Sequence, residues 1–245
     1  MAKGNRPVEE IRCIWVGYYR AVARAAGLSR FVAAFLCSVL VVLPVALSRD
    51  AAAQQSAAQS EMAAADFPTL VEDYLLDLHS RHPNLAAASG IHAWAGQLED
   101  YSAVAIATEI AVIKRFQARI AKIPPLELSL SDVVDYQILA LSMKSRLLEL
   151  EQIKTYERDP RVYSDVISTG LLQIALFPYA PAHSRLRHII AKQKLVPRLL
   201  DSARDNVTKP PPVLLKVGLE SFKGTLSLIR NDLSKPFASV QHEKL

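Results

Sequence analysis

His79 and His82 come nearest to chemistry in this chain, by residue type and by spacing. At i and i+3 they share one side of a helix turn, as two ligands of one zinc ion would. A catalytic zinc takes three protein ligands, and the available thirds, Asp77 and His92, have no fixed place beside that pair. The plainer reading is that histidines near a helix C-terminus partner its dipole. His183 and His188 stand five residues apart and face different sides of a helix. The sequence holds no His-Glu-x-x-His and no Glu-x-x-His. Asp73 and Asp77, one turn apart, fit an acid/base couple or, more plainly, a solvated helix face.

Nucleophile and phosphate signatures are missing as well. There is no Gly-x-Ser-x-Gly elbow, no Gly-x-Gly-x-x-Gly and no Walker sequence. Asn206-Val-Thr208 has the form of a glycosylation sequon, with nothing beside it to argue for a eukaryotic secretory origin. Tyr156, Tyr163 and Tyr179 flank an apolar segment and read as core residues with a hydroxyl at the edge. No catalytic, cofactor-binding or metal-ligating residue is therefore assigned, and no cofactor is expected for this chain alone.

The elements that would position any site begin after a leader. Phe31–Ser48 is an uninterrupted apolar run, preceded by Arg20, Arg24 and Arg30 and followed by Ser48-Arg49-Asp50 and an Ala/Gln/Ser tract. These are the parts of a secretory signal with cleavage before Gln54, although the run is also long enough for one membrane span. Residues 1–53 thus read as a signal peptide or membrane anchor, and 54–65 as a linker. Either way the remainder is expected to be exported, periplasmic or extracellular, or held at the inner membrane through residues 31–48. Cys13 and Cys37 both lie in the leader, and Phe35-Leu36 before Cys37 make a poor lipobox. The domain must therefore rely on its core rather than on disulfides. The leader carries seven Lys/Arg and three Asp/Glu, which leaves 22 basic and 21 acidic residues of the total 29 and 24. The basicity belongs to the leader, and nucleic-acid binding is excluded on that ground.

Residues 66–235 read as an all-α multi-helix bundle, with 236–245 as a polar tail. Asp66 is placed as the N-cap of a helix over 68–81, stopped by His82-Pro83, with a short helix over 84–89 ending at Gly90. Ser102 caps a helix to Lys122 with an inward stripe Ile106, Ile110, Ile113, Phe116, Ile120 and Ile123. Glu109 lies on its polar side. Ser129-x-x-Asp132 opens a helix of about 25 residues to Tyr156, roughly 40 Å long, with the stripe Val134, Ile138, Leu141, Ser145 and Leu148. Asp159-Pro160 ends it, and an apolar helix over 163–177 forms the centre of the core. A helix over 182–206 is expected to kink or break at Pro197. Leu215, Leu219, Phe222, Leu226, Ile229 and Leu233 form a seam with 4-3-4-3-4 spacing.

Four segments, in order, carry a family resemblance. They are Asn84-Leu-Ala-Ala-Ala-Ser-Gly-Ile-His92, Asp132-x3-Tyr136-x2-Leu139, Glu157-Arg-Asp-Pro-x2-Tyr163 and Arg198-Leu-Leu-x3-Arg204-Asp-Asn206. Over residues 67–233 the chain resembles the N-terminal third of the bacterial family called domain of unknown function 885, whose members resemble helical zinc peptidases. The resemblance implies a helical half that roofs a cleft, with zinc held by a His-Glu-x-x-His helix in a later half. No residue here matches a family zinc ligand or catalytic glutamate, so none is carried over. The expectation is a truncated, inactive lid half, whose partner is the missing C-terminal catalytic half or a second copy of itself. The alternative is a self-standing exported module that binds a protein or peptide. Helices 163–177 and 213–233 carry more apolar surface than the bundle needs, so an exposed apolar face is expected.

Overall fold

The computed structural model describes residues 66–240, and every regular element among them is helical. The leader, residues 1–53, and the linker, 54–65, lie outside the described residues. Among the described residues no helix is long and apolar enough to cross a membrane.

Helix α1 covers 66–81. Asp66 is itself helical rather than a cap, because a capping-type residue before an apolar pattern permits a helix start without enforcing one. Pro83 ends α1 by forcing His82 out of the α region, to φ −119° and ψ 72°. It then opens the short α2, Pro83–Ala88, and the chain turns away at Gly90 with φ +80°. Residues 91–101 form a loop. Ser102 caps α3, Ala103–Ile120, by accepting the Ala105 amide at 3.2 Å. A 3₁₀ turn at Pro125–Glu127 leads to Ser129, which accepts the Asp132 amide and starts α4, Leu130–Leu148.

Helix α4 does not run on to Tyr156. It widens into a π turn, Glu149–Ile153, and stops at Lys154 in the left-handed region with φ +53°. The short α5, Thr155–Arg158, follows. The buried face of α4 also differs from the expected stripe. Leu139, Met143, Leu147 and Leu150 go inward, while Val134, Ile138, Leu141 and Leu148 are 51–64% exposed. Both sets recur at spacings of three, four or seven, so periodicity alone does not choose between them.

Helix α6, Arg161–Leu176, buries Tyr163, Ile167, Leu171 and Ile174 and packs against α2, α7 and α8. Leu176 and Phe177 at its end stay exposed. Helix α7, Ala182–Asn206, runs unbroken through Pro197. One lost backbone bond does not interrupt a helix pinned on either side by buried Lys192 and Leu199.

The expected seam through α8, Pro212–Ser227, goes inward only in part: Phe222, Ile229 and Leu233 pack into the second core, while Leu215, Leu219 and Leu226 are 41–55% exposed. The helix also packs through small residues. A Cβ on Gly218 would meet Pro160 Cβ at 2.8 Å, and Ser164 Oγ lies 2.9 Å from both Ser221 Oγ and Thr225 Oγ1. Small side chains let the two backbones approach, which the leucine repeat does not offer. A π turn at Leu228–Asp232 and a 3₁₀ turn at Lys235–Phe237 close the described chain. Phe237, read from sequence as part of the polar tail, is buried with the Arg185 guanidinium 5.2 Å from its ring centre.

Two apolar cores result. One joins α1, α3 and α4 around Phe67, Phe116 and Met143, and the other joins α6 and α7 around Tyr163, Leu171 and Ile189. Tyr101 packs against both.

Candidate functional site

Polar groups collect between the two cores. Glu109 faces inward from α3 and accepts Arg146 Nε at 2.7 Å and His82 Nε2 at 3.0 Å on Oε1, and Arg146 Nη2 at 3.1 Å on Oε2. Burial pushes this carboxyl up, but the bonds from His82 and Arg146 outweigh it and hold Glu109 at about 2. An ionised Glu109 only accepts, so His82 carries its proton on Nε2. The sequence reading placed Glu109 on the polar side of α3; it is 8% exposed because two partners meet it inside.

A second cluster lies behind. Asn84 donates its backbone N–H to Glu99 Oε1 at 2.8 Å and its amide to the Val166 carbonyl at 2.8 Å, and it accepts Lys192 Nζ at 2.7 Å on Oδ1. Gly170 makes room for this side chain, since a Cβ there would stand 2.5 Å from Asn84 Oδ1. Burial drives the Lys192 ammonium down to about 8, against the opposing pull of Glu99. Burial raises the Glu99 carboxyl, against bonds from the Asn84 and Glu99 amides and the charge of Lys192.

A cavity of about 250 Å³ opens beside these groups. Ser80, Arg81, His82, Leu98 to Tyr101, Ala105, Ile106, Glu109 and Arg146 line it. Asn206 fastens the cavity loop by donating its amide to the Tyr101 carbonyl at 2.8 Å and to Tyr163 Oη at 2.9 Å. The sequon asparagine thus sits in a structural contact. Burial raises the Tyr101 and Tyr163 phenols to about 12, so both stay neutral near pH 7.

The other sequence candidates are dispersed. Arg81 takes Asp77 in two bonds, at 2.8 and 3.0 Å, and Arg119 takes Asp73 at 2.8 Å. His79 is buried, and burial and then His82 lower its pKa. His92 stacks on Tyr179 with ring centres 3.6 Å apart, and Tyr179 Oη lies 2.8 Å from His188 Nδ1. Among the described residues no group of three or more His, Cys, Asp or Glu could hold a metal. Sequence reasoning missed Glu99, Arg146 and Lys192, which come from three separate stretches with no motif spacing. The available signal was Asn84, first residue of the first resembling segment.

The fold and site define an all-helical domain with buried ionic clusters and a small polar cavity beside them. The chain belongs to the family described as bacterial protein of unknown function (DUF885), whose model matches residues 83–245. It is similar in fold to a solved structure from Shewanella oneidensis described as that of "a putative lipoprotein of unknown function", with a TM-score of 0.66 and 24% identity. The likeness covers 73% of this chain and 33% of that one, so the chain spans about a third of the solved relative's length. No curated protein matches.

Proposed function

We propose that residues 66–240 act as the non-catalytic helical lid of an exported, zinc-peptidase-like hydrolase architecture, and that α4 is the face on which the rest of that architecture sits. The observation that carries this reading is the exposed stripe Leu130, Val134, Ile138, Leu141 and Leu148, which runs along a helix already satisfied on its other side. A row of large apolar side chains in water along a whole helix marks an interface. The coverage of a third of a longer relative supports an intramolecular or complementing occupant for it. That relative's description as a lipoprotein supports export. The reacting groups would then come from the part that docks, and this chain would supply a wall of the cleft.

Metal analysis and peptide hydrolysis by the purified full chain test the assignment. The expected result is no stoichiometric zinc and no turnover of a mixed fluorogenic peptide panel. One tightly held zinc per chain, or turnover that is lost on chelation, refutes it. The second reading, a self-standing module that binds a small partner, is favoured by the polar cavity, which is built without any contribution from a docked half.

A further inference from the structure

Helix α8 keeps an apolar side in water. Val213, Leu215, Val217, Leu219 and Leu226 are 41–66% exposed, while Gly218 and Thr225 hold the opposite side against Pro160 and Ser164. Lys216 and Lys223 stand seven residues apart on the helix, and Arg230 follows seven further on, all three exposed. At about 100° per residue, Leu215, Leu219, Leu226 and the two lysines share a sector of about 100°. A leucine row thus runs beside a cationic row. Lys209 is exposed in the turn before the helix. From Lys209 to Arg230 the one acidic residue is Glu220, which takes Lys223 at 2.9 Å. Among the described residues, Lys209, Lys216 and Arg230 enter no ion pair. Asp165 reaches the helix at Ser221, with 3.4 Å between their oxygens, on the side away from the leucine row.

We propose that α8 is a membrane-surface helix, which lays its leucine row on an anionic lipid bilayer with Lys209, Lys216, Lys223 and Arg230 at the headgroups. A face that joins leucines to unmatched cations is the pattern of a helix lying in a lipid interface. Long basic side chains set their stems beside apolar neighbours and keep their charge at the headgroup level. Negative lipid attracts the cations, and the acyl boundary takes the leucines. A free polyanion would meet the cations and leave the leucines in water. The exposed stripe of α4 is built differently, because Lys144 is the one charged residue among the exposed positions of that helix. It lacks the cationic row that a lipid surface rewards. The inference does not rest on the lid reading, since the two faces lie on separate helices.

Depth-dependent fluorescence quenching on the full chain tests this. Cys13→Ser with Cys37→Ser gives a background in which Leu219→Cys or Ile138→Cys carries a single nitrobenzoxadiazole label. Reading the label position by position separates this contact from any entry of Phe31–Ser48 into the vesicle. With phosphatidylglycerol vesicles that contain a doxyl-labelled lipid, the label at 219 should shift to the blue and be quenched. With phosphatidylcholine vesicles it should do neither, and the label at 138 should stay unquenched with both. Lys216→Gln with Lys223→Gln should weaken docking at 219 by about thirtyfold, since each lysine near such a surface contributes about fivefold. No quenching at 219 with phosphatidylglycerol, equal quenching with phosphatidylcholine, an unchanged response in the lysine variant, or quenching at 138 as strong as at 219 overturns the proposal. Far-UV circular dichroism checks that each variant is folded. If the lysine variant is not, the comparison of the two lipids on the lysine-intact chain decides.

Discussion

Glu109→Gln isolates the ionic cluster that joins α1, α3 and α4. The carboxyl falls from an ordinary 4.5 to about 2 in the fold. At about 1.4 kcal/mol per unit this corresponds to about 3 kcal/mol of stability near neutrality. The sign follows from the direction of the shift. A folded pKa below the unfolded one gives stability that is present above pH 4.5 and is lost as pH falls through the folded value. At pH 3 about 1 kcal/mol should remain, so the contribution drops by about 2 kcal/mol between pH 7 and pH 3. Glutamine keeps the size of the side chain but leaves the Arg146 guanidinium without its counter-charge, and breaking one side of a buried pair costs about 3–5 kcal/mol. Urea unfolding of the full chain, followed by far-UV circular dichroism at both pH values, reads this out. The variant should lose about 3 kcal/mol or more at pH 7, and the gap should narrow by about 2 kcal/mol at pH 3. A gap below about 1 kcal/mol at pH 7, or one that does not change with pH, refutes the reasoning.

Two further predictions concern the Asn84 cluster. Lys192 has a folded pKa of about 8, below its ordinary 10.5. The unfolded chain therefore binds the extra proton between these values, and stability should rise by about 2 kcal/mol from pH 7 to 9.5; unfolding titrations of Lys192→Met should lack that rise, and an identical slope would contradict the buried ammonium. Gly170→Ala gains helix propensity of about 1 kcal/mol but drives a methyl onto Asn84 Oδ1, so a net loss of about 1–3 kcal/mol is expected by thermal unfolding. A stabilised Gly170→Ala chain would mean that Asn84 is free to move.

The helices were legible where sequence signals are local. Ser102 and Ser129 cap the helices they were expected to cap, and His82-Pro83 stops α1, because each rests on a few consecutive residues. The faces were less legible. Helix α4 presents two apolar stripes of equal periodicity, and only the position of α1 and α3 decides which one is buried. The seam through α8 goes inward at Phe222, Ile229 and Leu233 but not at its three earlier leucine positions, and the helix also packs through Gly218, Ser221 and Thr225, whose small size has no hydrophobic signature. The site was the least legible part. Glu109 has the spacing of a surface residue, and its burial depends on Arg146, 37 positions away. Lys192 and Asn84 meet across 108 positions, which no motif encodes.

The lid reading stands on the uncovered α4 stripe, and sedimentation velocity with bis-ANS fluorescence tests it most directly. The full chain should bind the dye strongly or self-associate, and the paired substitution Ile138→Glu with Leu141→Glu should markedly reduce both while leaving the unfolding midpoint nearly unchanged. These two side chains are 61% and 64% exposed, so charge there costs the fold little. A dye-negative monomer before substitution, or an unfolding midpoint that collapses after it, would contradict the account and place α4 inside a closed bundle.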